Sequence, residues 1–372
     1  MNAFRIACFY LLLITAGFAQ QADPPGNNPA AANKPKNIII LIGDGMGPTY
    51  ISASVLALEN DPYRKFSSSG FSVTCSADNL ITDSAAGGTV LSTGHRTNNG
   101  YIGVTPENKP LLNIMEIAEK LNMSTGVVST SSVTHATPAS FVAHEISRKN
   151  EIEIAHDFLD LDLEVVLGGG YGFFTTKQDG GRREDGLNLV EKIKSTGYDY
   201  FDDADDFLKA APSNKFYALL EKESLPHACD RDYTLGQLTE AALTALSQNE
   251  NGFVLMIEGS QIDWAGHDND EDRAISELKD FNTAVNTALG FAEKNPSTLI
   301  LVTADHETGG AAITGGTLNG DDIELKFVSK GHTATMVPVF SKGPGEELFR
   351  GVQDNFMIGR MLINLIDETV KF

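Results

Sequence analysis
Asp44, Glu258, Asp263, His267, Asp305 and His306 share one kind of placement: each stands at, or a few residues beyond, the end of an apolar run. Asn37-Ile38-Ile39-Ile40-Leu41-Ile42-Gly43 ends at Asp44. Phe253-Val254-Leu255-Met256-Ile257 ends at Glu258, with Asp263 and His267 just beyond. Thr298-Leu299-Ile300-Leu301-Val302-Thr303-Ala304 ends at Asp305-His306. Carboxylates and imidazoles gathered in one place repel one another or stay unpaired unless a cation joins them, so the pattern predicts metal-dependent chemistry. Asp263 and His267 are spaced i, i+4, which on a helix points both the same way, as one ion requires. His332, in Gly331-His332-Thr333-Ala334-Thr335, precedes the apolar residues 336–340 and is a further candidate. Mixed nitrogen and oxygen ligands suit zinc, and an all-oxygen set of Asp, Glu and Thr suits magnesium. Of the 8 histidines, His95, His144, His156 and His227 stand in no ligand-like context.

A nucleophile segment accompanies them. Thr82-Asp83-Ser84-Ala85-Ala86-Gly87-Gly88-Thr89 follows Leu80-Ile81 and continues in small residues to Gly94. A serine opening a helix, backed by Ala and Gly, lets the backbone approach a bound group, and the free N–H groups of a first helical turn favour an anion. A plain N-cap role for Asp83 or Ser84 is the competing reading. Serine is a weak nucleophile until a base or a cation stabilises its alkoxide.

The apolar runs that end at these ligands have the length and the Ile/Val/Leu content of strands buried on both faces of a parallel sheet. Ligand sites in such sheets lie outside the carboxyl ends of the strands. Apolar residues at 111, 114, 115, 118 and 121 mark a helix, 125–128 a strand and 164–167 another, closed by Gly168-Gly169-Gly170. Leu235, Leu238, Ala242, Ala245 and Leu246 mark one helix face, and Ile275, Leu278, Phe281, Val285 and Leu289 a longer one. This alternation predicts an α/β chain with a parallel sheet and helices on both faces. Residues 171–233 are charged and weakly periodic, and read as an excursion of helices and loops over the sheet within the same domain. Gly43-Asp44-Gly45-Met46-Gly47 does not match the dinucleotide fingerprint, because Pro occupies position 48, and no Gly-Lys-Ser/Thr is present, so a cofactor-phosphate loop is rejected.

The chain has 372 residues, enough for one large domain, and its 41% apolar and 21% charged content fit a globular protein with a core. Residues 1–19 read as a secretory signal peptide: Arg5 gives a positive start, 6–16 are mostly apolar, and Gly17-Phe18-Ala19 surrounds the cleavage point. The apolar stretch is shorter than the ~20 residues a membrane span needs, so no anchor is expected after cleavage. Residues 20–36, rich in Pro, Asn and Ala, read as a disordered leader. The expected location is therefore exported, periplasmic or extracellular. Cys8 leaves with the signal, and Cys75 and Cys229 do not make a disulfide scaffold, though an oxidising compartment would permit their pairing. A formal net charge of -22 disfavours nucleic acid and anionic membranes as partners. Any anion site must then be made positive locally, by metal ions or a positioned Arg.

The chain resembles the alkaline phosphatase family. The resemblance rests on Ile42-Gly43-Asp44-Gly45-Met46-Gly47, Thr82-Asp83-Ser84-Ala85-Ala86, His135-Ala136-Thr137-Pro138-Ala139, Ser147-Arg148-Lys149, Glu258-Gly259-Ser260-Gln261-Ile262-Asp263, Thr303-Ala304-Asp305-His306-Glu307-Thr308-Gly309-Gly310 and Gly331-His332-Thr333, in the family's order from Asn37 to the C-terminus. It implies a single domain over 37–372, a three-layer α/β sandwich with a mostly parallel central sheet. It implies Ser84 as the nucleophile that becomes phosphoserine, and Arg148 as the fork that holds two phosphate oxygens. It implies Asp263, His267 and His332 as ligands of a first zinc, and Asp44, Asp305 and His306 as ligands of a second. Asp44 would also bridge to a magnesium completed by Thr137 and Glu258. His135 stands where some members carry Asp, and Trp264, the only Trp, where others carry Lys or His. Those two positions tune the magnesium site and the phosphate pocket, with plain packing an open alternative for Trp264.

The activity so implied is hydrolysis of phosphate monoesters by a homodimer of broad specificity, with an alkaline optimum because the substrate should be a dianion. Two rival readings stand beside it. A phosphodiesterase or sulfatase would keep the fold, but Thr137, Glu258 and Arg148 build a third metal site and a terminal-phosphate clamp that such enzymes do not need. A secreted metal-binding protein without turnover would require loss of the nucleophile or a ligand, and none is lost.

Overall fold
A computed structural model describes residues 34–210, 213–320 and 322–372. Residues 1–19, read as a signal peptide, and most of the leader 20–36 lie outside the described residues. The strands, in chain order, are β1 Asn37–Gly43, β2 Ser68–Val73, β3 Ser124–Ser132, β4 Val165–Gly169, β5 Asp199–Phe201, β6 Phe216–Leu219, β7 Phe253–Gly259, β8 Thr298–Thr303, β9 Glu307–Thr308, β10 Ala312–Gly315, β11 Glu324–Lys326, β12 His332–Thr333, β13 Val337–Lys342 and β14 Gly351–Asp354. Ten of them form one sheet in the order β14-β2-β13-β8-β1-β7-β3-β4-β6-β5. Within it, β13 pairs antiparallel with both β2 and β8, and the other pairings are parallel.

The apolar runs form central strands because every residue of β1, β7 and β8 is buried. Successive side chains of a strand point to opposite faces, so one run feeds two cores. Ile38, Ile40 and Ile42 enter a core with the helices Ser84–Thr93, Ile114–Lys120 and Asn355–Ile366. Ile39 and Leu41 enter the other, with the helices Pro48–Ala57, Leu235–Leu246 and Glu271–Lys294. Each buried Ile contributes about 1.5–3 kcal/mol relative to exposure, which fixes the register of β1 between two helical layers. The three-layer α/β arrangement expected from the sequence is present.

Segment 171–233 differs from the expected helices and loops. It carries β5 and β6, which extend the sheet beyond β4 in the register Val165↔Phe216 and Asp199↔Phe216. At three and four residues these strands are too short to show a period within a charged segment. Cys75 and Cys229 are both free. Among the described residues no helix is long and apolar enough to cross a membrane.

Candidate active site
Parallel strands put their carboxyl ends on one edge, and register sets their height. Ile42 lies opposite both Glu258 and Thr303, and Ser129 opposite Glu258. Asp44, Glu258 and Asp305 therefore emerge side by side. The helix Gln261–Asp268 starts directly after β7 and carries Asp263 and His267 one turn apart on the same face. The two-stranded ladder β9–β12 pairs His332 with Thr308, and so carries His332 to the same edge. Ser84 is the first residue of its helix, and Asp83 is the N-cap, accepting from Ala86 N–H at 3.0 Å. Asp83 thus takes the N-cap role, and Ser84 points towards the gathered carboxylates and imidazoles, 3.3 Å from His306 Nε2.

Asp263, His267 and His332 form one group, with ligand atoms within 4.8 Å of one another. His267 Nδ1 lies 2.5 Å from the carbonyl of Lys330 and His332 Nδ1 lies 2.9 Å from that of Thr82. A carbonyl only accepts, so both rings carry a proton on Nδ1 and turn Nε2 towards the site, where a bound cation would displace any proton. Those two Nε2 atoms face each other at 3.1 Å, and each is within 3.6 Å of an Asp263 oxygen. Such a convergence of acceptors fits a cation. In a second group, His306 Nε2 stands 3.5 Å from Asp44 Oδ1 and 3.2 Å from Asp305 Oδ2. Asp44, Asp263 and His306 also satisfy the spacing for one ion, as do Asp44, His135 and Glu258.

The buried polar atoms support the same reading. Both oxygens of Asp44, Thr137 Oγ1, Glu258 Oε1 and Asp305 Oδ2 are buried without a hydrogen-bond partner among the described residues. Buried oxygens of this kind are costly unless something supplies positive charge. Burial and the neighbouring Asp305, Asp263 and Glu258 charges hold the Asp44 carboxyl well above its usual range. Burial, with Asp305, also raises Glu258, and burial with Asp263 raises Asp305. Burial would raise Asp263 too, but the hydrogen bond from His267 and the charges of His306 and His332 hold it below the usual range. Bonding to Asp263 lifts His267 to about 9, while burial lowers His306 to about 4. Mixed Asp and His donors suit zinc in the first two groups, and the oxygens of Asp44, Thr137 and Glu258 suit magnesium.

Arg148 Nη1 donates to Asp83 Oδ2 at 3.1 Å and reaches Ser84 Oγ at 3.5 Å, while Nη2 lies 3.3 Å from His135 Nε2. Its fork thus stands beside the hydroxyl. His135 meets Trp264 edge to face at 6.0 Å between ring centres, so both positions flagged as variable line one wall. Burial, and then the Arg148 charge, lowers His135 to about 3 and keeps it neutral. Sequence reasoning missed the groups that hold the ligands. Ser129 donates to Glu258 Oε2 at 2.6 Å and contacts Ser260 Oγ at 2.9 Å. Asp83 also accepts from Gly100 N–H at 3.0 Å. Adjacency to Ser84 was the available signal for Asp83, whereas Ser129 gave none, because its partner is 129 residues away.

A family model described as alkaline phosphatase matches residues 35–326. The chain belongs to the alkaline phosphatase family. Alkaline phosphatase 3 of Bacillus subtilis is 37% identical over 318 residues, covering 81% of this chain and 67% of that relative. The structure of the alkaline phosphatase from the Antarctic bacterium TAB5 superposes with a TM-score of 0.82 at 37% identity, covering 90% of this chain and 98% of that one. A TAB5 variant with a histidine replaced by aspartate holds Mg in its M3 site; it superposes equally well, at TM-score 0.82 and 37% identity over 90% of this chain and 99% of its own. As an alkaline phosphatase, this chain carries a metal-binding constellation around a serine, at the edge of the sheet where the fold places one.

Proposed function
We infer that this alkaline phosphatase hydrolyses phosphate monoesters to alcohol and inorganic phosphate through a phosphoserine on Ser84. The observation that carries the reading is the meeting of Ser84 Oγ, the Arg148 fork and the unpartnered ligand atoms in one place. Asp263, His267 and His332 would hold one zinc, Asp44, Asp305 and His306 a second, and Asp44, Thr137 and Glu258 a magnesium with His135 alongside. Divalent ions bound there supply the positive charge that phosphoryl transfer demands at the entering and leaving oxygens.

The chain's own residues do the rest. Arg148 takes two non-bridging oxygens with its planar fork, a geometry that Lys cannot reproduce. Asp83 aims that fork through the 3.1 Å bond to Nη1. Ser84 gives up its hydroxyl proton to solvent and its Oγ attacks phosphorus as the ester P–O bond breaks, and the departing alkoxide takes a proton from solvent. Water then attacks the phosphoserine, the Oγ–P bond breaks, and Ser84 is restored as phosphate leaves. Two in-line displacements give net retention at phosphorus. His135, neutral beside Arg148, leaves the guanidinium charge to the phosphate. Trp264 shields the pocket on the His135 side.

Export to the periplasm or beyond, cleavage near Ala19 and a homodimeric assembly complete the proposal. Metal analysis of the purified protein should find zinc and magnesium near 2:1. Chelation should abolish hydrolysis of p-nitrophenyl phosphate, and the two metals together should restore it. Full activity in a metal-free preparation would refute the reading.

A further inference from the structure
We propose that Thr308 is a positioning residue that fixes the ring tautomer of His306 and couples the two zinc groups through one hydroxyl. The inference rests on the proposed roles of Asp263 and His306 as ligands. Thr308 is fully buried, and its Oγ1 donates to Asp263 Oδ1 while standing 3.2 Å from His306 Nδ1. A hydroxyl has one proton to give. An ionised carboxylate offers only acceptors, so the proton points at Asp263. Towards His306 the hydroxyl oxygen then accepts. Thr308 thereby favours the His306 tautomer with its proton on Nδ1, against the pull of Asp44 and Asp305 on a proton at Nε2, and so turns an Nε2 lone pair towards Ser84, Asp44 and Asp305.

The other two ligand histidines have their Nδ1 protons tied to main-chain carbonyls, those of Lys330 and Thr82. At His306 the side chain of Thr308 occupies that place. The difference has a consequence. A carbonyl holds one ring, whereas this hydroxyl spans a carboxylate of the first group and an imidazole of the second. Metal ligands are commonly oriented by such outer partners, at a cost of 10–100-fold in affinity when the partner is lost.

Thr308 is itself held in place. Its carbonyl accepts from Tyr50 Oη at 2.8 Å, and its N–H donates to the carbonyl of Gly45 at 3.0 Å. Gly45 sits at φ 68°, and a Cβ there would lie 2.7 Å from Thr308 Oγ1. The glycine loop after β1 thus makes room for this hydroxyl, a physical use for a motif that does not bind a nucleotide.

The test compares Thr308→Val, which keeps shape and removes the hydroxyl, with Thr308→Ser, which keeps it. Thr308→Ala is a second deletion without the branched side chain, and decides the matter if the Val variant does not fold. Metal-free protein labelled with 15N-histidine reports the His306 tautomer by NMR, and competition with a chromophoric chelator reports zinc affinity. The deletions should mix the two tautomers of His306 and weaken zinc binding about 10–100-fold, and Thr308→Ser should restore both. Wild-type ring shifts and wild-type zinc affinity in a folded deletion variant would overturn the proposal, as would a Ser variant no better than Val. If wild-type protein takes up no zinc, the ligand assignment itself fails, and this inference falls with it.

Discussion

Gly87→Ala separates the geometry of the site from the stability of the fold. Gly87 lies in the first turns of the helix Ser84–Thr93, three residues after the nucleophile. A Cβ built there would stand 2.8 Å from Asp305 Cβ and 3.1 Å from the Asp305 carbonyl oxygen. Carbon atoms at rest keep about 3.5–4.0 Å, so helix and strand end must part by roughly 0.7 Å. Neither contact is a flexible side-chain tip, so the strain falls on the Ser84-to-Asp305 spacing. Misplacement near 1 Å can cost about 100-fold in rate, or about 2.7 kcal/mol of barrier. The stability effect is smaller. Overpacking costs about 1–3 kcal/mol, and Ala in place of helical Gly returns about 1 kcal/mol. Steady-state hydrolysis of p-nitrophenyl phosphate, with urea unfolding of the same samples, should show a loss of about 100-fold in kcat/KM and at most about 2 kcal/mol in stability. Gly290→Ala is the control, because its Cβ would meet nothing within 4 Å in the helix Glu271–Lys294. It should stabilise by about 0.4–1 kcal/mol and leave turnover unchanged. A Gly87→Ala enzyme within about twofold of wild type would refute the claim that Ser84 and Asp305 must meet at this spacing.

Ser129→Ala removes the 2.6 Å hydrogen bond that leaves Glu258 Oε1 free, and should raise the magnesium concentration needed for full activity about 10–100-fold, with zinc content unchanged. A monoesterase with this Arg148 clamp should also prefer p-nitrophenyl phosphate over bis-p-nitrophenyl phosphate, and the reverse ranking would favour the diesterase reading. His144, which bonds to Gly103, Asp157 and Glu116, supplies a pH signature. Burial opposes its charge, but the bond to Glu116 at 3.5 Å wins and raises it above 6.5. A raised histidine stabilises fully below its unfolded value and loses that contribution as pH rises through the folded one. Glu116→Gln keeps the cap on the helix Ile114–Lys120, so it should cost roughly 0–1 kcal/mol below pH 6.5 and progressively nothing above the raised value, read from unfolding midpoints across pH.

Much of this arrangement was legible in the sequence for one physical reason. Strands buried on both faces read as unbroken apolar runs, and a parallel sheet delivers whatever follows them to one edge. Asp44, Glu258 and Asp305-His306 could therefore be placed together from their positions after the apolar runs. His332 was harder, because its two-residue strand has no period, and motif order singled it out. β5 and β6 were not legible, since edge strands this short carry no alternation and their partners lie far away in sequence. The supporting groups were hidden for a related reason. Asp83, Ser129 and Thr308 act through hydrogen bonds whose partners only the fold brings near, and Ser and Thr occur everywhere on protein surfaces without such a task.

The central claim is that Ser84 forms a covalent bond to phosphorus. Incubating the metal-loaded enzyme with 32P-labelled phosphate monoester at acid pH, quenching in acid and mapping the labelled peptide tests it directly. The account predicts label on the peptide bearing Ser84 in wild type and none in Ser84→Ala, whose turnover should be severely reduced. Turnover by Ser84→Ala at the wild-type rate, or label confined to another residue, would contradict it.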